Sequence, residues 1–405
     1  MSTKAKKTGF WNMLDRLEGD KIIWMIVFFL IIFSILAVSS STSLLAIQQK
    51  SSRLSFAMEQ ILMAAAGLGI IAGLCKIGKI GIFRFFSQGL FVLSFLLLAF
   101  LASHFTKIPF FRPVNINQAW RCISVFGFQL HVFEFVKVFM VMYIAWAMDA
   151  LKTNRTPLAD KLAKKPHLEF MAKKEAKVCF YVLFPIAIIT LLIALGSNSS
   201  AMFIGLVMVV TALVGGLDLK YIIYVLLLGI VCAGLIFGVY KISDGKVFGR
   251  LELIERRVKL ALADPLERLH AEKPGTLKFQ KILDETMQPV SAKVAVSEGG
   301  FFGKGPGNST QRYVVSVMYE DYIFSFIVEE YGMIGALVIL ILYGSLLARG
   351  SIIVRNCDNH YAKTMIAGLV LLVSGQALMH ILINVDLFPL TGQTLPMISH
   401  GNSSF

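Results

Sequence analysis

Charge is what this chain has least of. Only 16% of its 405 residues are Asp, Glu, Lys or Arg and 56% are hydrophobic, where about 25% charged is usual for a soluble domain. That balance excludes an ordinary soluble globular protein. Cysteine is sparse too. Cys75, Cys122, Cys179, Cys232 and Cys357 are scattered and odd in number, with no CxxC pair. Without that spacing there is no thiolate metal site or redox couple to read, and the five count as small apolar side chains. A cleavable signal peptide is missing, because the first apolar run is too long for an h-region and lacks a small-residue cleavage site, so it reads as a signal anchor. Nor does the glycine-rich stretch GGFFGKGPGNSTQR at 299–312 make a phosphate-gripping Walker loop. Glu298 stands where that loop needs its first glycine, and Gly305 follows Lys304 where Ser or Thr is required.

What is abundant is long apolar runs. Nine of them, 22–46, 56–75, 85–105, 126–149, 178–196, 199–217, 221–240, 322–347 and 363–385, approach or exceed the roughly 20 helical residues that cross a hydrocarbon core of about 30 Å. Each is expected to be helical, because a backbone in lipid must pair its polar groups within its own segment. The reading is an all-α polytopic membrane protein: an N-terminal segment 1–21, seven spans over 22–240, a long loop over 241–321, and two further spans with a C-terminal outer loop over 322–405.

The net charge of +14 points to membrane topology and away from nucleic acid, because of where it lies. Eight basic residues crowd 152–177, and others follow the N-terminus and the second and eighth spans. Short loops rich in Lys and Arg stay in the cytoplasm. The N-terminus is therefore expected inside and 241–321 outside. The 152–177 cluster itself reads as an orientation signal that also attracts anionic lipid.

The loop 241–321 far exceeds the usual connection of about 4–6 residues. Its first half, LELIERRVKLALADPLERL, has apolar residues at helical spacing and suggests an amphipathic helix on the membrane surface. Its second half is rich in glycine and small polar residues, with Phe301 and Phe302 suggesting a return to the membrane boundary.

Ionisable residues within spans are costly and mark polar networks. Glu134 and Lys137 lie three apart on one helix face, where they can neutralise each other. Whether they serve a site or only tie helices together is open at this level. Arg121, just ahead of them, could join the pair or face a phosphate. In YEDYIFSFIVEEYGMIG, Glu320 and Asp321 fall at the outer boundary and Glu329 and Glu330 two turns deeper. A boundary acid can be a catalytic base or only a solvated helix cap.

Four stretches carry a resemblance. NQAWRCI, EFVK, GGFFGKGPGNSTQR followed by DYIFSFIVEEYGMIG, and NVDLFPLTGQTLPMISHGNSS resemble, in order along a multi-span chain, the motifs of the SEDS family (FtsW, RodA, SpoVE), most closely those of its FtsW branch. The chain departs from the family pattern at Glu320, at His131, Val132 and Phe133, at Asp386 and at Asn402. The family has ten spans, and the tenth, absent here, would follow Phe405.

The resemblance implies a peptidoglycan glycosyltransferase that polymerises lipid II at the outer face of the inner (cytoplasmic) membrane during cell division. A class B penicillin-binding protein transpeptidase and other divisome membrane proteins are the implied partners. It makes Asp321 the catalytic carboxylate and places Arg121, Glu134, Lys137 and Gln288 toward substrate. Gly303, Gly305, Asn308, Ser309 and Gln311 join them from the glycine-rich loop, and Asn384, Thr391 and Ser399 from the C-terminal motif. No organic cofactor is implied, and a divalent cation, Mg or Mn, is a possible aid to the leaving pyrophosphate. The competing reading is a flippase for the lipid-linked precursor. It would need polar groups through the whole bilayer depth, whereas here they gather in the outer half.

Overall fold

The computed structural model describes residues 18–48, 50–103, 111–116, 119–125, 128–225, 274–314, 318–388 and 392–400, with isolated positions at 227, 229 and 234. It is a helical bundle. In chain order come α1 (Lys21–Ser41), the short α2 (Ser43–Gln48), α3 (Arg53–Ile77) and α4 (Ile80–Ala102). A small sheet follows, then α5 (Val132–Lys152), the short α6 (Pro157–Leu162), α7 (Lys174–Ala194) and α8 (Asn198–Val214). The series ends with α9 (Leu277–Gly299), α10 (Ile323–Arg355) and α11 (His360–Asn384).

Six of these helices are long and apolar enough to cross a membrane. They correspond to the expected runs at 22–46, 56–75, 85–105, 178–196, 322–347 and 363–385. α5 and α8 answer to the runs at 126–149 and 199–217. α5 carries Glu134, Lys137, Asp149 and Lys152, and α8 is a 17-residue helix. The run at 221–240 and the amphipathic stretch LELIERRVKLALADPLERL fall largely or wholly outside the described residues.

The fourth run begins later than expected. Residues 111–131 form a three-stranded antiparallel sheet of β1 (Phe111–Ile116), β2 (Ala119–Val125) and β3 (Phe128–His131). Alternating apolar and polar residues there favour pleated pairing over helix, so α5 starts at Val132 and not near 126. Cys122 pairs with Val114 and Trp120 with Asn115, which leaves Arg121 as the extra residue of a β-bulge.

α5 is the centre of the larger core. Its residues from Met140 to Ala150 are all buried, packed with α4, α7, α8 and α11, as befits a helix apolar on nearly all sides. A second core joins α1, α9, α10 and the segment around Leu395 and Ile398.

One local device in the first core follows from a proline. Pro185 has no N–H to give the carbonyl four residues earlier, and α7 opens into a wider π turn over Cys179–Leu183. That freed carbonyl belongs to Tyr181, and the Tyr143 hydroxyl donates to it at 3.1 Å. Tyr143→Phe is therefore expected to lower stability by about 1–3 kcal/mol, the cost of a buried acceptor left alone. Thermal unfolding in detergent checks this, and an unchanged midpoint would show that the π turn needs no such bond.

Candidate functional site

The site begins at the turn before α10. Tyr319, Glu320 and Asp321 present three consecutive carbonyls, and each is held by a group from the C-terminal part of the chain. The His400 amide donates to the Tyr319 carbonyl at 2.9 Å. The Ser399 hydroxyl donates to Glu320 at 2.9 Å, and the Asn384 side-chain amide to Asp321 at 3.1 Å. The other end of the Asn384 side chain accepts the Ser325 amide and hydroxyl, both at 2.9 Å, which satisfies one of the otherwise open amides of the first turn of α10. Asp321 is thus fixed through its backbone. The helix cap position is Tyr322, so Asp321 stands one residue ahead of it, at the positive end of the helix dipole. The residue is half-buried, and its charge reaches the Tyr319 phenol. Burial, and then the negative charges of Glu320 and Asp321, push the Tyr319 hydroxyl above its ordinary range.

Below this turn, Glu329 and Glu330 are fully buried, and the glycine-rich loop closes over them. Glu329 accepts Lys304 Nζ at 2.8 Å, the Thr310 amide at 2.8 Å and the Ser309 hydroxyl. Glu330 accepts the Ser40 hydroxyl at 2.7 Å and the Gly307 amide at 2.9 Å, with Arg312 Nη1 at 3.8 Å. Partial burial works against the Lys304 charge, but its bonds to Glu298 and Glu329 outweigh that and raise its affinity for the proton. Lys304 is therefore a cation already committed to carboxylates.

The loop also repairs a break in α10. Gly332 adopts φ 66 and ψ −165, a backbone region open almost only to glycine. An unbroken helix would bond the Met333 and Ile334 amides to the carbonyls of Glu329 and Glu330. Instead those amides donate to Gly300 and Phe301, at 3.0 and 3.4 Å, while the two carbonyls accept Lys304 and Gly305 amides at 2.9 and 3.0 Å. Two lost helix bonds are replaced by four to the loop. A Cβ at Gly303 would stand 2.2 Å from the Glu330 carbonyl oxygen, so only glycine lets the strands of this joint meet.

At membrane depth, Lys137 is buried and pairs with Glu134 at 2.5 Å while donating to Gln376 Oε1 at 2.7 Å. Glu134 is about one-third exposed (31%). Removing the acid would strand a buried cation, whereas removing the lysine leaves an acid that the protein covers only in part. Glu134→Ala is accordingly expected to destabilise by about 3–5 kcal/mol and Lys137→Met by about 1 kcal/mol, read as unfolding midpoints in detergent. Equal and negligible effects would remove the pairing from the account.

The remaining candidates are distributed as follows. Arg121 lies in β2. Gln288 sits half-buried on α9 beside Pro289. The side-chain amide of Asn308 donates to the Lys304 carbonyl at 3.0 Å, and the Gln311 backbone amide to Glu329 at 3.4 Å. Thr391 lies outside the described residues. Phe301 and Phe302 are 61% and 77% exposed. Among the described residues no three His, Cys, Asp or Glu side chains gather in a group that could hold a metal ion. Gln376, His380, Gln60 and His400 are not among the residues expected at the site from sequence. The first two, with Asn384, recur every four residues on one face of α11, a spacing that was there to be read. His380 Nδ1 meets the Gln393 carbonyl at 2.7 Å, and Gln393 donates to Ser200 at 3.0 Å.

The fold has solved counterparts. A chain of a peptidoglycan synthase complex coordinating polymerization and crosslinking superposes with a TM-score of 0.63, at 19% identity over 95% of this chain and 93% of that one. The Thermus thermophilus rod shape determining protein RodA gives 0.57, at 18% identity over 96% and 93%. Among curated proteins, the probable peptidoglycan glycosyltransferase FtsW of Bacillus subtilis is 27% identical over 79% of this chain and 70% of its own length. The protein of the same description from Trichlorobacter lovleyi is 25% identical over 96% and 89%. The family model described as cell cycle protein, covering FtsW, RodA and SpoVE, matches residues 20–405. The chain that folds this carboxylate turn and its glycine-rich clamp belongs to the FtsW/RodA/SpoVE family of multi-pass membrane proteins, the SEDS family, and is FtsW-like within it.

Proposed function

We propose that Asp321 is the general base of a peptidoglycan glycosyltransferase that polymerises lipid II during cell division. The acceptor sugar's 4-hydroxyl is a weak nucleophile until a positioned group takes its proton. In the step, the hydroxyl oxygen bonds to the donor's anomeric carbon as its proton passes to the Asp321 carboxylate. The bond from that carbon to the undecaprenyl pyrophosphate breaks, and the pyrophosphate leaves with the electron pair. Positive charge near that group eases its departure. Arg121 is the candidate, since Lys137 is already bound to Glu134 and Gln376. The observation that carries the reading is the three-point hold on Tyr319, Glu320 and Asp321. A base must be held to a fraction of an ångström to act, and three donors on three successive carbonyls supply that.

The loop 241–321 and the Asp321 turn face outward in this reading, with the N-terminus in the cytoplasm, on the strength of the basic residues in 152–177. A class B penicillin-binding protein acts alongside, crosslinking the strands this protein makes. Purified protein with that partner is expected to convert lipid II into a ladder of glycan strands on a gel. Movement of lipid II across liposome membranes with no strands formed would favour the flippase instead.

A further inference from the structure

His400 joins the Asp321 turn to α3, a helix that packs mainly against α1 through Ala64, Val27 and Ile31. Its amide holds the Tyr319 carbonyl, and its ring lies edge-on to Tyr319 and Phe56, with centroids 5.6 and 5.8 Å away. Its Nδ1 lies 3.1 Å from Gln60 Oε1. The Gln60 amide nitrogen reaches the Ser34 hydroxyl at 2.7 Å and the Ser399 carbonyl at 3.5 Å, and Ser34 donates to the Ile398 carbonyl at 3.0 Å. A carbonyl can only accept, so the nitrogen of Gln60 must face Ser399 and its oxygen must face His400. The neutral ring therefore carries its proton on Nδ1. α3, the helix that supplies Gln60 and Phe56, buries only Phe56, Ala57, Gln60 and Ala64. Two of those four touch His400.

Resting on the base assignment above, we infer that His400 and Gln60 are positioning residues that set the Asp321 turn and make it follow α3. Neither touches the reacting atoms. They act through the Tyr319 and Glu320 carbonyls that His400 and Ser399 hold. Burial keeps the ring below the ordinary histidine range, although Glu59 pulls the other way. The ring is accordingly neutral at neutral pH. The charged groups around it are Glu59 from α3 and, on the turn, Glu320 and Asp321, whose charge reaches Tyr319. Protonation would put a cation against Tyr319, on the turn that carries the base, and lower the base's affinity for the substrate proton.

The test is strand formation from lipid II by the full chain with its transpeptidase partner, comparing His400→Phe, Gln60→Ala and Gln60→Glu with wild type. His400→Phe keeps a ring between Phe56 and Tyr319 but loses the Nδ1 bond and the titration. It is expected to lower kcat about tenfold with KM for lipid II and the unfolding midpoint nearly unchanged. Gln60→Ala should match it, and the double variant should be no worse than either single one. Gln60→Glu, which favours the protonated ring, should move the acid limb of the pH profile up by about one unit. Wild-type kcat and pH profile in all three, with Asp321→Asn inactive in the same assay, would overturn the inference. So would a loss that follows the unfolding midpoint with no change in the pH profile. An active Asp321→Asn would instead remove the base assignment underneath it.

Discussion

Gly332→Ala is expected to be among the most damaging conservative substitutions in the protein, lowering stability by about 3 kcal/mol and dissolving the joint between α10 and the glycine-rich loop. Its φ of 66 with ψ −165 is strained for any residue with a side chain. The space is closed as well, because a Cβ there would stand 2.4 Å from the Gly303 nitrogen and 2.4 Å from the Phe301 carbonyl oxygen. Those are backbone atoms, which cannot swing aside. If α10 relaxed to a continuous helix instead, the loop would lose its four bonds to residues 329–334. Glu329 and Glu330 would then be left buried without the Lys304, Thr310 and Gly307 donors that now neutralise and solvate them. Gly344→Ala in the same helix meets nothing within 4 Å and should be neutral or slightly stabilising. Unfolding midpoints of the two variants in detergent separate these effects. A Gly332→Ala midpoint equal to that of Gly344→Ala would show that the break is incidental.

That joint was only partly legible in the sequence. Glycines at 303, 305 and 307 announced tight backbone, and Glu329 and Glu330 announced a buried acidic pair, but Lys304 and Glu329 are 25 residues apart and nothing in their spacing joins them. The stretch from 277 to 299 reads as part of the outer loop, whose second half is rich in glycine and small polar residues, yet it forms α9, where packing of Ala292 and Ala295 against α10 overrides the weak helix propensity around Pro289. The sheet over 111–131 was hidden inside what read as approach to a span. Local signals fared better. The spacing of Glu134 and Lys137 places them on one face, and they meet there. Apolar run length located most spans to within a few residues, since lipid imposes helix on any such run. Asn384 and Ser399 were singled out for substrate, and the structure shows what motif reading cannot: both reach the backbone of the Asp321 turn.

The largest functional effect is expected at Asp321 itself. Asparagine has nearly the same shape and leaves the three carbonyl bonds of the turn intact, because those bonds are to backbone and not to the carboxylate. It cannot accept a proton at neutral pH. General-base catalysis contributes about 10²–10⁴-fold, so Asp321→Asn should lose at least that factor while folding normally. Glutamate keeps a base but moves it by a methylene, and a displacement of about 1 Å costs on the order of 10²-fold, so Asp321→Glu should be weak but measurable.

The most direct measurement is the rate of glycan strand formation from lipid II by Asp321→Asn and wild-type protein, each with the transpeptidase partner and matched for unfolding midpoint. A loss of at least about 10²-fold in the variant at equal stability is the result predicted. Strands made by Asp321→Asn at the wild-type rate would contradict the account.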